Sequence, residues 1–585
     1  MYHEVDYTMK HDFLSLGSNL FLICLPLQKR SQVKIFFSFL SCRYMWRYLF
    51  TDFLEYVSES LAEEGTGSDD VNGNSSNDNN NSHNGIGDRD GGGGRGGEVK
   101  YKEENNFEED EDEEEKEEED EGNDVDERRS TYYSEDDEEL LEGWSAIPDI
   151  ILEDILSLLS PKHRHQCSMV SRRWYRYFYS SRVWETFTLN DRSFTRKKFN
   201  LYLGYQHESD PRKVQLCLAR VGSFFKTIII PPIKDYFNLY EFLRVLGYFL
   251  NFFDNYPMPH LKTFHFTFHC EFWEHSGVSI HGTGGDILDK MKKVIGSMKN
   301  MKEIHLANLM LDMKDATNFI DPIYTVSGDS LQILSLVNCT NDVFPFPMIA
   351  QMSALQKLVI SSNNIDDESV LLFAGTQLTE IQIVEDHLTP SSVPISPVTW
   401  SFLLEMIPYI RVVLRTLGRL RRDMMQQPGA PVYSVIHENP RSQLRPAVAM
   451  QIADLYHKNL ELFAQLKLPR VHGSRSFTER IDSNLLMMVK SCPKLHTLII
   501  KERLSTASLL LLVHEAKNLK KLYVRKNALL RKYDWPRLPE WSDSFYRWLK
   551  RTSYDINSVE DYISGVLDYR WHPLTDKQFK LLSLR

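Results

Sequence analysis

An apolar pattern, L-x-x-L-x-L, recurs along most of the second half of the chain and limits what that half can fold into. It occurs as Phe225/Ile228/Ile230, Leu261/Phe264/Phe266, Met301/Ile304/Leu306, Leu331/Leu334/Leu336, Leu355/Leu358/Ile360 and Leu378/Ile381/Ile383. It returns as Leu495/Leu498/Ile500 and Leu519/Leu522/Val524. The interval is 24 residues from Leu331 to Leu355, 23 from Leu355 to Leu378 and 24 from Leu495 to Leu519. Earlier intervals of 36, 40 and 30 residues make the array irregular. A unit of this length supplies one short strand and one helix, and neither buries its apolar side alone. Stacked units do, and their strands then line up as one parallel sheet with helices behind. Side chains alternate along a strand. The residues between the leucines therefore face the other way: Thr263/His265, Glu303/His305, Ile333/Ser335/Val337, Lys357/Val359 and Glu380/Gln382/Val384, then Thr497/Ile499/Lys501 and Lys521/Tyr523/Arg525.

Asn363 and Asn527 stand at the ninth position of their units, and Cys339 holds that slot in the unit opening at Leu331. Period and ninth residue resemble leucine-rich repeats. The expected architecture is α/β: an irregular solenoid over 215–530, with parallel strands concave and helices convex. The middle of the expected concave face is apolar enough for a protein partner, and its last two units are basic around a tyrosine. Lys501, Lys521, Tyr523 and Arg525 are thus candidates to bind an acidic or phosphorylated substrate element; solvated surface cations are the plainer reading. Masking of this end by the chain's own acidic tract is a third. Between Leu378 and Leu495 the pattern weakens for 117 residues. Two further units are expected there, one near Ile410 to Leu414, with 389–397 and 426–446 as excursions inside an irregular insertion, about 385–480. Val448, Ile452 and Leu455 restart a helix. The last piece, 531–585, breaks the repeat and carries Trp535, Trp541, Trp548 and Trp571. A solenoid needs its last open core covered, and large aromatics suit that task; an exposed partner site around Trp535 and Trp541 is the alternative.

Ahead of the array, Ile147 to Trp184 reads as short helices with more apolar surface than they can bury together. Pro148 fits a first helical turn. Ile151, Ile155, Leu158 and Leu159 fall on one stripe. Pro161 ends that helix and opens another, on which Val170 and Trp174 share a face at i, i+4. The order Ile-Pro at 147–148, Ile-Leu at 155–156, Leu159, Val170, Trp174 and Trp184 resembles the F-box family. The chain departs from it at Lys162-His163-Arg164-His165-Gln166-Cys167, where the family carries leucines after an acidic residue. The resemblance places an F-box at 143–190. It implies docking on a Skp-family adaptor, and through it on a cullin and a RING protein. Ile147, Pro148, Ile151, Ile155, Leu156, Leu159, Val170 and Trp174 would then form or support the adaptor face. The plain alternative is three helices of a larger helical domain.

The net charge of −13 is concentrated in one tract, roughly Glu103 to Glu139. With the Asn/Gly runs before it, residues 59–139 have almost nothing to bury and are expected to be disordered. This is a solvated spacer or, in the sharper reading, bait for basic partners or a phosphorylated segment, as at Ser134 before Glu135-Asp136-Asp137. Residues 1–58 form an apolar leader, read as poorly ordered or isoform-specific. Leu14 to Leu27 follows acidic residues rather than a basic flank, and is shorter than the ~20 residues a membrane span requires. Seven cysteines without a C-x-x-C pair argue for reduced thiols in the cytoplasm or nucleus.

No motif asks for catalysis. His265 and His269 lie ~13 Å apart along a strand, too far for one ion without a further element. Gly282-Thr283-Gly284-Gly285 lacks the order of a phosphate loop. The resulting expectation is a non-catalytic substrate receptor of a Skp–cullin–F-box ubiquitin ligase, with no metal, cofactor, nucleic acid or membrane implied and its protein substrate unnamed. The rival is an acidic leucine-rich-repeat scaffold or chaperone for basic proteins, working without ubiquitin.

Overall fold

A computed structural model describes residues 147–583 apart from 203, 253–256, 271–282, 284, 419, 421–422, 441–443 and 471–472. The leader, the Asn/Gly-rich and acidic segments and Ser134 lie outside the described residues.

Three helices open the described chain: α1 (Asp149–Leu158), α2 (Pro161–Ser168) and α3 (Arg172–Phe178). Pro148 is the residue before α1 rather than its first, and Pro161 is the first residue of α2, capped by Ser160. Val170 and Trp174 do not share a helix. Ser171 caps the N-terminus of α3 by accepting from Trp174 N at 3.2 Å, so Val170 sits in the turn before it. A serine side chain that can hold an open N–H favours starting a new helix over continuing the old one.

Sixteen strands follow among the described residues: β1 (Thr186–Thr188), β2 (Thr195–Asn200), β3 (Gly204–Ser209), β4 (Thr227–Ile230), β5 (Thr263–Thr267), β6 (Glu303–Ala307), β7 (Ile333–Val337), β8 (Lys357–Ser361), β9 (Glu380–Glu385), β10 (Arg411–Leu417), β11 (Val432–Glu438), β12 (Leu462–Gln465), β13 (Thr497–Ile500), β14 (Leu504–Ser505), β15 (Lys521–Val524) and β16 (Leu529–Leu530). Twelve make one sheet in the order β1-β4-β5-β6-β7-β8-β9-β10-β11-β12-β13-β15. Every neighbouring pair in it is parallel. β2 and β3 form an antiparallel hairpin, and β14 pairs with β16 in a small parallel sheet of its own.

Register places the repeat leucines side by side. Ile228, Phe264, Ile304, Leu334, Leu358 and Ile381 are successive partners across six strands, each at most 2% exposed. Helices such as Tyr236–Phe252, Gly285–Ser297, Pro446–Tyr456 and Thr506–Glu515 contribute to the same apolar core. Fully burying each such side chain is worth about 1.5–3 kcal/mol. That gain exists only while the neighbouring unit is in place.

The expected insertion over 385–480 is corrected. It holds three strands, β10 to β12, where two units were expected, and β11 runs through the supposed excursion 426–446. Its sequence hides the repeat because the register between β10 and β11 shifts at Val412/Val413 and residues 418–431 separate the two strands. The segment 389–397 carries no strand or helix up to Pro397, which opens the helix Pro397–Met406. β1 is an additional strand the pattern did not reveal.

Polar side chains at the strand exits hold neighbouring units together. Asn363 is fully buried, and its amide nitrogen donates to Thr340 Oγ1 at 3.0 Å and to the Asp342 carbonyl at 2.9 Å. Cys339, in the equivalent slot, is also fully buried. Asn527 differs: it is exposed and donates to Asp576 at 3.0 Å. At the far end, Arg480 grips Asp482 through two 2.9 Å bonds and reaches Asp534 at 2.6 Å. Trp535 is 8% exposed and donates to Ser508 Oγ at 2.7 Å, so it is no free partner site. Leu549, Val559, Ile563 and Trp571 join it over the last repeat.

Asn363→Ala removes two bonds whose acceptors keep one other donor each, Asn364 for Thr340 Oγ1 at 2.6 Å and Thr340 Oγ1 for the Asp342 carbonyl at 2.8 Å. It is expected to lower unfolding free energy by about 0.5–1.5 kcal/mol per bond lost, measured by urea titration, whereas Asn527→Ala is expected to cost clearly less.

Candidate functional site

α1 is apolar on two sides. Leu152 and Leu156, one turn apart, are both 0% exposed and face the chain's own core. Ile151, Ile155 and Leu158, at i, i+4 and i+7, form a second stripe pointing elsewhere. On it Ile151 is 51% and Leu158 86% exposed, with Ile155 half-buried. An apolar side chain left that open gives up the free energy that burial would supply. A helix with one such face against its own chain and another uncovered has surface left for a second molecule.

Two devices fix the module's shape. Arg173 donates to Asp149 Oδ1 at 2.6 Å and to the Ile147 carbonyl, tying the start of α3 to the start of α1. That puts Met169 (68% exposed) and Val170 (69% exposed), just before α3, near the end of α1 that carries Ile150 and Ile151. Arg164, 5% exposed, closes the other end, donating to the Leu159 carbonyl at 2.8 Å and the Ser157 carbonyl at 2.6 Å. Burial pulls its guanidinium down to about 10. The unusual run 162–167 thus spends its central arginine on capping α1.

Of the eight residues expected at an adaptor face, Pro148, Ile151 and Val170 are exposed and Ile155 is half-buried, while Ile147, Leu159 and Trp174 are half-buried and pack on the core. Leu156, expected to form or support that face, has no exposed surface, which leaves it only the supporting role. Ile150 (62% exposed), Leu158 and Met169 belong to the open surface, although only Leu158 lay on the stripe read from sequence.

The module is fastened to the first strand by aromatic rings. Trp184, 2% exposed, donates to the Phe178 carbonyl at 2.6 Å, packs edge-on against Phe178 and stacks on Phe225 at 6.2 Å, under the Arg164 guanidinium at 4.8 Å. Phe187 continues the stack onto Phe225 at 5.0 Å and Phe242 at 5.9 Å.

The second surface is the helix-free face of the long sheet. Its first half is half-open and polar: the His265 and His305 rings stack at 4.1 Å, His305 lies 3.7 Å from Glu303, and Lys357 pairs with Glu380 at 2.6 Å. His265 therefore has its ring partner on the next strand, rather than in His269 along its own. Burial holds both imidazoles down to about 4; for His265 the neighbouring His305 adds to it against Glu303, and for His305 Lys357 adds to it.

At the other end the expected substrate residues are corrected. Lys501 is 2% exposed and its ammonium binds the Asn439 carbonyl; burial lowers it to about 8. Arg525, also 2% exposed, pairs with Asp576 at 2.9 Å and donates to the Lys501 carbonyl at 3.2 Å. Neither is free to meet a substrate. Tyr523 packs against a second apolar cluster, and Lys521 alone of the four is exposed. Strand spacing carries no sign of their partners, Asn439 62 residues before Lys501 and Asp576 51 residues after Arg525.

Residues 144–186 match the family model of the F-box domain. No curated protein matches the chain. Among solved structures, a chain in the crystal structure of the Rad7 and Elc1 complex in yeast is similar at 12% identity with a TM-score of 0.34, covering 66% of this chain and 90% of that one. Among the described residues no helix is long and apolar enough to cross a membrane.

An imidazole with its ordinary value near 6.5 in the unfolded chain and about 4 when folded binds its proton first in the unfolded state. Stability is therefore lost as pH falls from about 6.5 to 4. The double variant His265→Phe/His305→Phe is expected to flatten the decline of melting temperature between those pH values. His437, held down to about 4 by burial with Lys501 adding to it, keeps part of the slope in place.

Proposed function

We propose that this chain, which carries an F-box domain at residues 144–186, is the substrate-recognition subunit of a Skp–cullin–F-box ubiquitin ligase. The adaptor face is the open surface of α1 with the turn before α3: Ile150, Ile151, Leu158, Met169 and Val170 in contact, with Ile147, Ile155, Leu159 and Trp174 at its base. A cullin and a RING protein follow through the adaptor, and a protein substrate is held by the repeats for ubiquitination and degradation. The observation that carries this reading is the double-sided α1, whose outer apolar stripe stays largely uncovered among the described residues while Leu152 and Leu156 already satisfy the inner side.

The chain's contribution is then proximity, not bond-making. Holding a substrate beside a ubiquitin-loaded conjugating enzyme raises the effective concentration of its lysines. That works best when the two binding surfaces keep a fixed spacing, and the ring stack from Phe178 through Trp184, Phe225 and Phe187 supports such a spacing. The acidic tract keeps the rival reading, a scaffold for basic proteins, as the outcome to expect if no adaptor binds.

Ile151→Glu with Leu158→Glu places charge on the outer stripe without touching Leu152 or Leu156. Capture of a Skp-family adaptor by the full chain is expected to weaken at least tenfold, about 1.4 kcal/mol, with the melting temperature unchanged. Equal capture by variant and parent would remove the adaptor face from these residues. Absence of capture by the parent would remove the ligase reading.

A further inference from the structure

The helix-free face carries its own small apolar cluster, separate from the main core: Val413, Ile436, Ala464, Leu466 and Ile499, from neighbouring strands and the turn after β12, closed by one large side chain, Phe579, at 1% exposed. Strand alternation accounts for it, since Val412, Val435, Phe463 and Leu498 beside these residues belong to the main core. Phe579 comes from the chain's last segment. Leu574 lies alongside Arg525, with its amide donating to the Val524 carbonyl at 2.8 Å and its carbonyl accepting from Lys526 N at 2.8 Å. The short helix Asp576–Lys580 then crosses onto the helix-free face. It is held there by two side chains three residues apart: Asp576, on Arg525 and Asn527, and Phe579, on the apolar cluster.

We propose that this end of the helix-free face is a docking site for a short partner segment with an acidic residue followed three positions later by an aromatic one, and that residues 575–583 occupy it as a displaceable stand-in. The occupant's chemistry is set by what the site lacks without the tail. Without the tail Arg525 would keep the Lys501 carbonyl as an acceptor and lack the carboxylate of Asp576, which a guest could replace. Five apolar side chains beside it would be open to water. Lys521 and Lys526 are exposed on or next to the same strand and favour an acidic guest, with Glu502 beside the buried Lys501 opposing them. The tail is suited to leaving. Its helix is five residues long, too short to hold without its contacts, and Thr575, Lys577, Gln578, Lys580 and Leu581 are exposed around Asp576 and Phe579. The inference rests on the repeats being the substrate-holding part of the proposed receptor, and not on adaptor docking.

The test uses the full chain, the chain ending at Leu574, and a fluorescent peptide of residues 575–583, read by anisotropy. The shortened chain keeps Trp571 and Leu574, so its cap and edge contacts remain. It is expected to bind the peptide at least tenfold more tightly than the full chain does. Phe579→Ala or Asp576→Asn in the peptide is expected to reduce that binding at least tenfold. Full-length Phe579→Ala, which leaves the backbone whole, is expected to bind the parent peptide as well, and covers the case in which the shortened chain does not fold. No binding to either variant, equal binding by full and shortened chains, or indifference to both peptide substitutions overturns the proposal. So does a full chain that is dimeric and becomes monomeric on shortening, which would make a second copy the occupant. Adaptor capture does not enter these measurements, so either reading can fail alone.

Discussion

A parallel ladder that buries one row of side chains per strand is stable only in proportion to its neighbours, and this constraint organises the described chain from end to end. The row from Ile228 to Ile381 is dry because each strand is flanked on both sides. The first and last strands lack that cover and must obtain it from something else. At the start, β1 takes it from the helical module and its rings, so the piece that closes the solenoid is also the piece with an open apolar stripe. At the end, the helices Asp543–Thr552 and Ile556–Leu567 with Trp535 and Trp571 do the same. Both caps are therefore structural necessities first, and any recognition they perform is built on surfaces that closing the array left over.

The repeat was legible wherever all three apolar positions of the triplet were kept, even across intervals of 36 and 40 residues. Eight triplets of apolar residues fell on eight strands because the physics that writes the pattern, alternation along a strand and a fixed helix return, is local in sequence. It became illegible between β9 and β13. There Val412, Val432 and Phe463 are as buried as any leucine of the pattern, but the bulge after Val412 and the loop to Val432 shift the spacing that a reader of sequence relies on. β1 escaped for a related reason: three residues with one inward Phe187 make too little pattern to register.

The functional surfaces divide along the same line. An amphipathic stripe on α1 could be read from spacing, yet which of two apolar stripes faces the core could not, because that depends on where the rings of Phe178 and Trp184 settle. Leu156 and Ile151 are five residues apart on one helix and opposite in fate. Lys501 and Arg525 illustrate the longer-range limit. Cations on a predicted outer face are ordinarily solvated; these two are enclosed because Asn439, 62 residues before Lys501, and Asp576, 51 residues after Arg525, reach them. Tertiary partners at such separations leave no mark on local composition.

The relation between Arg525 and Asp576 also bears on how tightly the tail is held. Asp576 retains a third of its side-chain exposure while Arg525 retains almost none. An ion pair with one wet partner is worth little by attraction alone, since water competes for the carboxylate. Losing it costs Arg525 its carboxylate, although the guanidinium keeps the Lys501 carbonyl and the departing tail uncovers it to water, so the penalty is below the about 3–5 kcal/mol of a fully buried pair. Burial of one phenylalanine adds about 1.5–3 kcal/mol. A guest that brings its own carboxylate avoids stranding Arg525, and a guest that brings only apolar surface does not. The geometry thus discriminates among guests by whether they bring Arg525 a carboxylate, rather than by affinity for the apolar cluster, which any aromatic side chain would share.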